Sequence, residues 1–248
     1  MESNKIYFSS NITERDLVNN IKIKLKKNNF CILKNFNSLN TQKKIFNIVK
    51  KRFIATKEIK ISGKFRYKMK GFKRLDIGDS YKNSRFSRFI FFSEWEKKNN
   101  TFFKLISPII KLRNLISRIQ KKKDIYFNLK SIGKKNKKFN YYFCDFVRMI
   151  QYPSGGGFLS SHNDYDKYYP NNVINVVLPI TVKQGKKKRE LSEYNKGGFY
   201  FFIKKKKIYV DDHVTTGDLL LFNTKIYHGV NSIDPTKEVK LNKLNGRI

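Results

Sequence analysis

Three polar residues in the C-terminal half of the chain have types and spacing that suit metal binding. His162 and Asp164 stand two positions apart after a glycine-rich turn, and His228 follows an apolar run further along the chain. On a β-strand, residues i and i+2 point to the same face, so His162 and Asp164 can reach one ion together. A histidine on a neighbouring strand can complete the set. Two histidines and one carboxylate leave other metal positions open, which suits non-haem Fe(II) chemistry.

The elements that must position these residues are short strands. From residue 139 onward, apolar runs predict strands at 141–152, 173–182, 198–203, 207–210, 218–223 and 226–231. Several short strands at close spacing are typical of a sandwich or barrel. We predict one domain over residues 1–248, in which 139–248 form the β-rich core and 1–138 form a helical and loop support region. The predicted fold class is mainly β with N-terminal helices.

The support region shows helix and strand signals in alternation. Helices are predicted after the N-cap Thr13, from Asn40, and over 105–119, the last packing on the outside of a sheet. A buried strand is predicted at 30–36, and a second at 85–93, either alone or leading into a helix at Glu94. Residues 57–85 lack periodicity and are predicted to form a long loop over a site. Residues 121–138 are predicted to be a lysine-rich linker.

Composition limits the class of protein. The chain has 248 residues, 40% hydrophobic and 15% aromatic, which indicates a folded protein. The net charge is +35, but lysines are spread along the chain and their codons are A/T-rich. We therefore favour low genomic G+C content as the cause, and an anionic partner stays the alternative. Two cysteines, no signal-peptide pattern and no apolar run of spanning length predict a cytoplasmic protein without a membrane span.

Five motifs in order carry a resemblance to a known superfamily. They lie at 152–156, 162–164, 198–199, 217–222 and 228–230. Together they resemble the 2-oxoglutarate- and Fe(II)-dependent dioxygenases, in the branch of prolyl hydroxylases and small-molecule hydroxylases. The resemblance covers residues 141–248 and implies a double-stranded β-helix (jelly-roll, cupin-like) core. It also implies His162, Asp164 and His228 as iron ligands, with Fe(II), 2-oxoglutarate and O2 as cofactors and ascorbate as a further candidate.

Binding of the cosubstrate 2-oxoglutarate needs a cation for the carboxylate that lies away from the metal. Arginine suits this best, because its planar guanidinium group can form two parallel hydrogen bonds with a carboxylate. Arg247 is our first candidate, although it follows the last histidine at a longer spacing than the superfamily usually shows. Arg148 is the rival, because Arg148, Ile150 and Tyr152 share one strand face; Lys237 and Lys240 lie nearer the usual spacing. Tyr152 resembles the strand tyrosine that binds the cosubstrate in prolyl-hydroxylase-like members. Asn175 is polar within an apolar strand, so we expect it to have a bonded role at the site.

The resemblance implies a hydroxylase that acts on a small molecule, such as an amino-acid-derived or specialised metabolite, with release of succinate and CO2. The carboxylate of Asp164 favours hydroxylation or desaturation over halogenation, because related halogenases lack it. Two alternatives in the superfamily are an AlkB-like nucleic-acid demethylase, which the basic charge would assist, and a protein side-chain hydroxylase. A non-catalytic β-barrel binding protein is the alternative from another class. We expect residues 57–85 and 166–172 to contact the substrate, and the oligomeric state is left open.

Overall fold

The N-terminal part of the chain forms helices where capping residues and apolar spacing predict them. The structure, a computed structural model, describes residues 1–9, 11–59, 72–79, 83–93, 96–118, 147–165, 173–184 and 192–248. Helix α1 (Glu14–Asn28) begins after Thr13 and helix α2 (Leu39–Ala55) begins after Ser38. In both cases the capping hydroxyl accepts a hydrogen bond from an N–H of the first turn that has no helical partner. Helix α3 (Asn100–Ser117) follows later.

The strands of the described residues form two main sheets and one small one. In chain order the strands are β1 (Lys5–Tyr7), β2 (Phe30–Lys34), β3 (Lys73–Asp79), β4 (Ser84–Phe92), β5 (Val147–Gln151), β6 (Gly157–His162), β7 (Ile174–Val177), β8 (Val182–Lys183), β9 (Ser192–Tyr194), β10 (Gly198–Ile203), β11 (Lys206–Tyr209), β12 (Leu219–Asn223) and β13 (Tyr227–Ile233). The larger sheet has the order β11-β10-β13-β6-β4-β3, with β5 paired to β4. The smaller main sheet has the order β1-β2-β12-β7, and β8 pairs with β9.

The two main sheets face each other across an aromatic core. The smaller sheet contributes Phe30 of β2 and Phe222 of β12, while the larger sheet contributes Phe199 and Phe201 of β10 and Val230 of β13. These side chains are almost fully buried. Burying each large apolar side chain stabilises the fold by roughly 1.5–3 kcal/mol before the cost of ordering the chain. The core therefore holds the sheets together around the strands that carry both histidines.

The helices cover the outer faces of both sheets. Residues of β2 and β12 that alternate with the inner ones, such as Leu33 and Leu221, pack against α1 and the C-terminal part of α3. On the larger sheet, Ile90 and Phe92 of β4 pack against α2 and the N-terminal part of α3. This arrangement confirms a mainly β fold with N-terminal helices, and it confirms that α3 is a support helix on the outside of a sheet. No helix of the described residues is long and apolar enough to cross a membrane.

The prediction of a loop over residues 57–85 is wrong at 73–79. This segment is β3, which pairs with β4 along its whole length. It is an edge strand of half-exposed and exposed residues, so it lacks the apolar alternation by which a strand is recognised. The predicted strand 173–182 is divided into β7 and β8 around Pro179, which has no N–H to donate. Outside the described residues lie 60–71 and 80–82 of the predicted loop, Glu94, the predicted linker at 121–138, residues 141–146 of the predicted strand 141–152, and the predicted substrate segment at 166–172.

Asp218 joins the start of β12 to the end of β2. Its side chain is fully buried, and it pairs with the ammonium group of Lys34. The carboxylate also accepts hydrogen bonds from the backbone N–H of Asn35 at 2.9 Å and from the N–H and hydroxyl of Thr215 at 2.6 and 2.9 Å. Each buried polar group in this cluster thus has a partner, which buried charges require.

We expect Asp218→Ala to lower the free energy of unfolding by about 3–5 kcal/mol, because it leaves the Lys34 ammonium buried and unpaired. Urea denaturation measures this change. The matched control is Glu14→Ala, which removes an exposed ion pair with Lys111 and is expected to cost at most about 1 kcal/mol. Equal unfolding midpoints for the two variants would contradict the role assigned to Asp218.

Candidate functional site

The pairing of β13 with β6 brings two histidines together at one end of the sandwich. His228 on β13 lies directly opposite His162 at the end of β6. The centroids of the two imidazole rings are 4.5 Å apart. His228 is buried against Phe199 and Phe222, with ring centroids at 5.5 and 4.9 Å. The inner core therefore fixes one histidine, and strand register fixes the other beside it.

An irregularity in β6 turns His162 to the inner face. On β13, Val230 pairs with Leu159, and His228, two residues earlier, pairs with His162. On β6, the two partners Leu159 and His162 are three residues apart, one more than on β13. The extra residue in β6 is a β-bulge, which changes the side-chain alternation of the strand. Leu159 and His162 therefore both face the core, as Val230 and His228 do. Gly229 allows this close pairing, because a Cβ there would lie 2.7 Å from the carbonyl oxygen of Leu159.

Asp164 completes the group from the chain that follows β6. Its backbone N–H donates to the carbonyl of Thr224 at 3.0 Å, which holds the segment against β12. The carboxylate oxygens lie 3.5 Å from Nε2 of His162 and 3.4 Å from Nε2 of His228. One ligand atom from each of the three residues lies within 4.8 Å of the others. The structure thus brings together the three residues that the sequence predicts as metal ligands.

The hydrogen bonds of both histidines direct Nε2 toward the centre of the group. In each ring Nδ1 lies 3.0 Å from the carbonyl oxygen two residues earlier, that of Ser160 for His162 and that of Ile226 for His228. A neutral ring that donates from Nδ1 has its lone pair on Nε2. Two lone pairs and a carboxylate then converge on one point, where they repel each other unless a cation lies between them. This donor set fits a divalent transition metal with open positions.

The electrostatic environment keeps Asp164 ionised. Burial raises the pKa of its carboxyl group, but the contacts with His162 and His228 outweigh burial and hold the pKa well below its usual range. Asn175 on β7 adds a hydrogen bond from Nδ2 to Oδ2 of Asp164 at 2.6 Å. This bond explains why a polar amide stands in an otherwise apolar strand, and it gives Asn175 the bonded role at the site that the sequence predicts.

Arg247 lies inside the sandwich, fixed by a carboxylate that sequence reasoning missed. Its Nε and Nη2 donate to Asp211 at 2.6 and 3.1 Å, and both side chains are almost fully buried. Asp211 also accepts from the hydroxyl of Tyr194 at 2.6 Å and from the N–H of Phe199 at 2.7 Å. Burial lowers the pKa of the guanidinium, but Asp211 outweighs burial and raises it above its ordinary value.

Asp211, Asp212 and His213 lie in a turn, and within this turn the side chain of Asp211 is buried. The feature of the sequence that could have indicated the burial of Asp211 is the glycine of the motif at 198–199. Gly198 has φ +124°, and a Cβ there would lie 2.9 Å from Oδ2 of Asp211. Glycine at this position lets a carboxylate approach the N–H of Phe199. His213 is not in the group of metal-ligand candidates.

Tyr152 is buried beside Arg247. The backbones of the two residues exchange hydrogen bonds of 2.8 and 3.0 Å, and the guanidinium carbon lies 6.0 Å from the centre of the Tyr152 ring. Burial raises the pKa of the phenol, and the nearby charges of Arg247 and Arg148 counteract this shift. This backbone pairing places Arg247 beside the end of β5, and not on a strand that pairs with β13. It explains how Arg247 reaches the interior of the sandwich from the end of the chain.

The other candidate cations lie further out. Arg148 has an exposed side chain, stacked on Phe89, and stands four strand residues, or about 13 Å, from Tyr152. Lys237 pairs with Asp234 and Lys240 with Glu238, and both lysines are about half exposed. Among these cations, Arg247 is the one that the structure places within the core.

Comparison with solved structures shows the same fold in three oxygenases. A prolyl-4-hydroxylase from Pseudomonas putida superposes with a TM-score of 0.53 at 11% identity, over 88% of this chain and 92% of that one. A prolyl hydroxylase from Trichoplax adhaerens, in complex with a hypoxia inducible factor oxygen degradation domain peptide fragment, superposes with a TM-score of 0.52 at 16% identity, over 94% of this chain and 86% of that one. A 2OG-Fe(II) oxygenase family oxidoreductase from Burkholderia pseudomallei superposes with a TM-score of 0.50 at 9% identity, over 98% of this chain and 91% of that one.

At these identities the likeness concerns the fold. It confirms the predicted double-stranded β-helix core, and it confirms the resemblance to this superfamily at the level of architecture. No protein-family model matches the sequence, and no curated protein matches it either. The chemistry of the site is therefore argued from its own residues.

We expect Asn175→Ala to weaken divalent metal binding about 10- to 100-fold, because Asp164 loses the hydrogen bond that orients it. Calorimetric titration with Co(II) measures the affinity. Asn231→Ala is the matched control, since the Asn231 amide bonds Tyr209 at the surface, away from the site. Unchanged Co(II) affinity in Asn175→Ala would show that this amide does not support a metal ligand.

Proposed function

We propose that this chain is an Fe(II)- and 2-oxoglutarate-dependent dioxygenase that hydroxylates a small molecule. The observation that carries the proposal is the convergence of His162, Asp164 and His228, with both Nε2 atoms and a carboxylate directed at one point. The fold shared with solved oxygenases supports it. When bound, Fe(II), 2-oxoglutarate and O2 supply oxidation of an unactivated C–H bond, coupled to conversion of the cosubstrate to succinate and CO2.

The chain's own residues would divide the work among binding, orientation and exclusion of water. His162, Asp164 and His228 would hold the metal on one face and leave the opposite positions open. The aromatic residues Phe199 and Phe222 pack against His228 and keep water from its ring. Asn175 would keep the carboxylate of Asp164 in its ligand orientation.

Arg247 would anchor the far carboxylate of the cosubstrate. Asp211 occupies Nε and Nη2, and no hydrogen bond of the described residues uses Nη1. The guanidinium is thus held rigid on one edge and offers the other to a ligand carboxylate. Tyr152 lies against the same guanidinium and has a phenol that can donate to the cosubstrate.

A protein side chain is the second candidate substrate. The structure from Trichoplax adhaerens contains a peptide fragment bound to a prolyl hydroxylase of the same fold. A panel of small metabolites and proline-containing peptides, screened for stimulated succinate release, separates the two classes. Stimulation by peptides alone would replace the small-molecule proposal.

Anaerobic titration with Fe(II) and 2-oxoglutarate tests the proposal directly. We expect a weak visible charge-transfer band in the native protein and its loss in His162→Ala, because one of three metal ligands is removed. His213→Ala is the control and is expected to retain the band, since that histidine lies outside the group. Absence of the band in a protein with native circular dichroism would refute the proposal and favour a non-catalytic β-barrel binding protein.

We expect Arg247→Ala to weaken 2-oxoglutarate binding about 10- to 100-fold, because a charge-assisted hydrogen bond contributes roughly 1.5–3 kcal/mol. The same band, followed against 2-oxoglutarate concentration at saturating Fe(II), measures the affinity. Lys240→Ala is the control at the surface. If Arg148→Gln weakened the affinity and Arg247→Ala did not, Arg148 would be the anchor and our assignment would be wrong.

A further inference from the structure

The outer face of the larger sheet carries exposed aromatic rings on β10, β11 and β13. On β10, Phe199 and Phe201 point into the core, so the alternating residues Tyr200 and Phe202 lie on the opposite face. Phe202 is 42% exposed, and Phe8 is the only other exposed phenylalanine of the described residues. Burial of a large apolar side chain stabilises a fold, so an exposed ring on a strand with neighbours on both sides needs an explanation.

Strand register places further aromatic residues beside Phe202. Its direct partner on β13 is Tyr227, and its direct partner on β11 is Lys207. In the next row Tyr200 lies opposite Tyr209 of β11, with the two ring centroids 6.2 Å apart. Cross-strand partners share a face, so all these side chains lie on one surface. Tyr227 is 52% and Tyr209 36% exposed. We refer to Tyr200, Phe202, Tyr209 and Tyr227 as the aromatic platform.

The surroundings of the aromatic platform are positively charged. The ammonium group of Lys207 lies 4.5 Å from the ring centre of Tyr200. Exposed lysines follow one another at 204–206, in the turn between β10 and β11, and Lys225 is exposed in the turn before β13. Residues 198–210 and 219–233 contain no aspartate or glutamate. Charge complementarity therefore selects a polyanion as the partner of this face.

The hydrogen bonds on this face leave a phenolic proton for a ligand. Asn231 of β13 accepts from the ammonium group of Lys207 at 3.2 Å and donates from Nδ2 to the hydroxyl of Tyr209 at 2.7 Å. The Tyr209 oxygen thus acts as an acceptor, and no hydrogen bond of the described residues uses its proton. Lysine ammonium groups and tyrosine hydroxyls are donors that contact phosphate oxygens in nucleic-acid complexes.

Rings and lysines together suit unpaired bases better than a lipid surface. Every base has a flat π-face that stacks on an aromatic side chain, while the backbone phosphates contact the lysines. Sheets with exposed aromatic side chains bind two or three bases in this way. A lipid surface favours apolar side chains that insert at the acyl boundary. The outward positions of these three strands carry tyrosine, phenylalanine, lysine, glycine and asparagine, and no aliphatic side chain.

We propose that the aromatic platform binds single-stranded nucleic acid, with bases stacked on Phe202, Tyr209 and Tyr227 and phosphates at the adjacent lysines. The recognised chemistry is an unpaired base on a phosphodiester backbone, which RNA and DNA share. The inference goes beyond the proposed function and does not rest on it. His228 follows Tyr227 on β13 and packs into the core, so the platform lies on the back of the sheet that carries the metal group.

Fluorescence anisotropy of labelled oligonucleotides with the full chain, with and without Fe(II), tests the proposal. Oligo(dT) and oligo(U) of about 15 nucleotides distinguish DNA from RNA. We expect the single strands to bind more tightly than the oligo(dT)·oligo(dA) duplex, because a duplex has no free base faces. Electrostatic attraction alone predicts the opposite order, since a duplex carries more charge per unit length. A duplex or a polyglutamate that binds as tightly as the single strands would overturn the proposal.

Variants that remove one ring locate the binding surface. We expect Phe202→Ala and Tyr227→Ala each to weaken single-strand binding about tenfold, and Tyr227→Phe to retain the affinity because the ring persists. Phe8→Ala is the matched control, since Phe8 is exposed but lies outside the platform. Circular dichroism verifies that each variant is folded. Native affinity in both alanine variants would contradict the assignment of the bases to this face.

Salt dependence reads the contribution of the lysines separately. We expect Lys207→Gln to reduce the slope of log K against log salt concentration by about 0.7, the share of one phosphate contact in a single strand. Lys26→Gln, which removes an exposed charge from α1, is expected to keep the native slope. The same variants are measured with phosphatidylserine vesicles. Vesicle binding that depends on Phe202 and Tyr227, in a chain that does not bind oligonucleotides, would overturn the proposal and assign the platform to a membrane surface.

Discussion

The antiparallel pairing of β13 with its two neighbours is the constraint on which the site depends. Through β6 it sets His228 opposite His162, and through β10 it sets His228 opposite Phe201 of the aromatic core. A shift of one residue on either side would move every side chain of β13 to the other face. The buried residues Val230 and Ile233 on the same strand oppose such a shift, so the hydrophobic core determines the geometry of the polar group.

A second constraint is the ion pair between Arg247 and Asp211. Two buried charges cost several kcal/mol each to remove from water, and good geometry with further hydrogen bonds is needed to offset that cost. Both conditions are met, since the pair is bidentate and Asp211 has two more donors in Tyr194 and Phe199. The pair also connects the last residues of the chain to β10, because Asp211 accepts a hydrogen bond from the N–H of Phe199 on that strand. The burial of the Arg247 cation and the closure of the sandwich thus depend on the same carboxylate.

Sequence could predict the elements whose pattern is local. Helix α1 follows from its cap Thr13, and α2 follows from its apolar spacing, although it begins at Leu39 after the cap Ser38 and not at Asn40. Strands β10 and β12 follow from apolar runs bounded by turns. The group of His162, Asp164 and His228 was found from spacing and motif order. The bulge in β6 was not, because a register shift depends on the partner strand and leaves no signal in Ser160 or Ser161 themselves.

Other features could not be predicted because their partners are distant in the chain. The burial of Asp211 depends on its contacts with Arg247 and Tyr194, whereas its neighbour Asp212 is exposed, so the local sequence indicates only a polar turn. Strand β3 is recognisable only by its pairing, since its side chains meet solvent or other charges. The guanidinium groups of Arg74, Arg85 and Arg148 likewise meet at the ring of Phe89 only when β3, β4 and β5 align. Sequence places Arg74 and Arg148 far apart, and strand register alone brings them to the same ring.

The contrast between lysine and arginine also bears on the interpretation of the net charge. A charge of +35 spread over the chain raises the surface potential everywhere, and such a field attracts anions without choosing among them. Selection needs cations of fixed geometry in a place with limited solvent. Arg247 meets that condition, because it is buried in the core and held on one edge by Asp211. The lysines, spread along the chain, supply charge without such a fixed geometry.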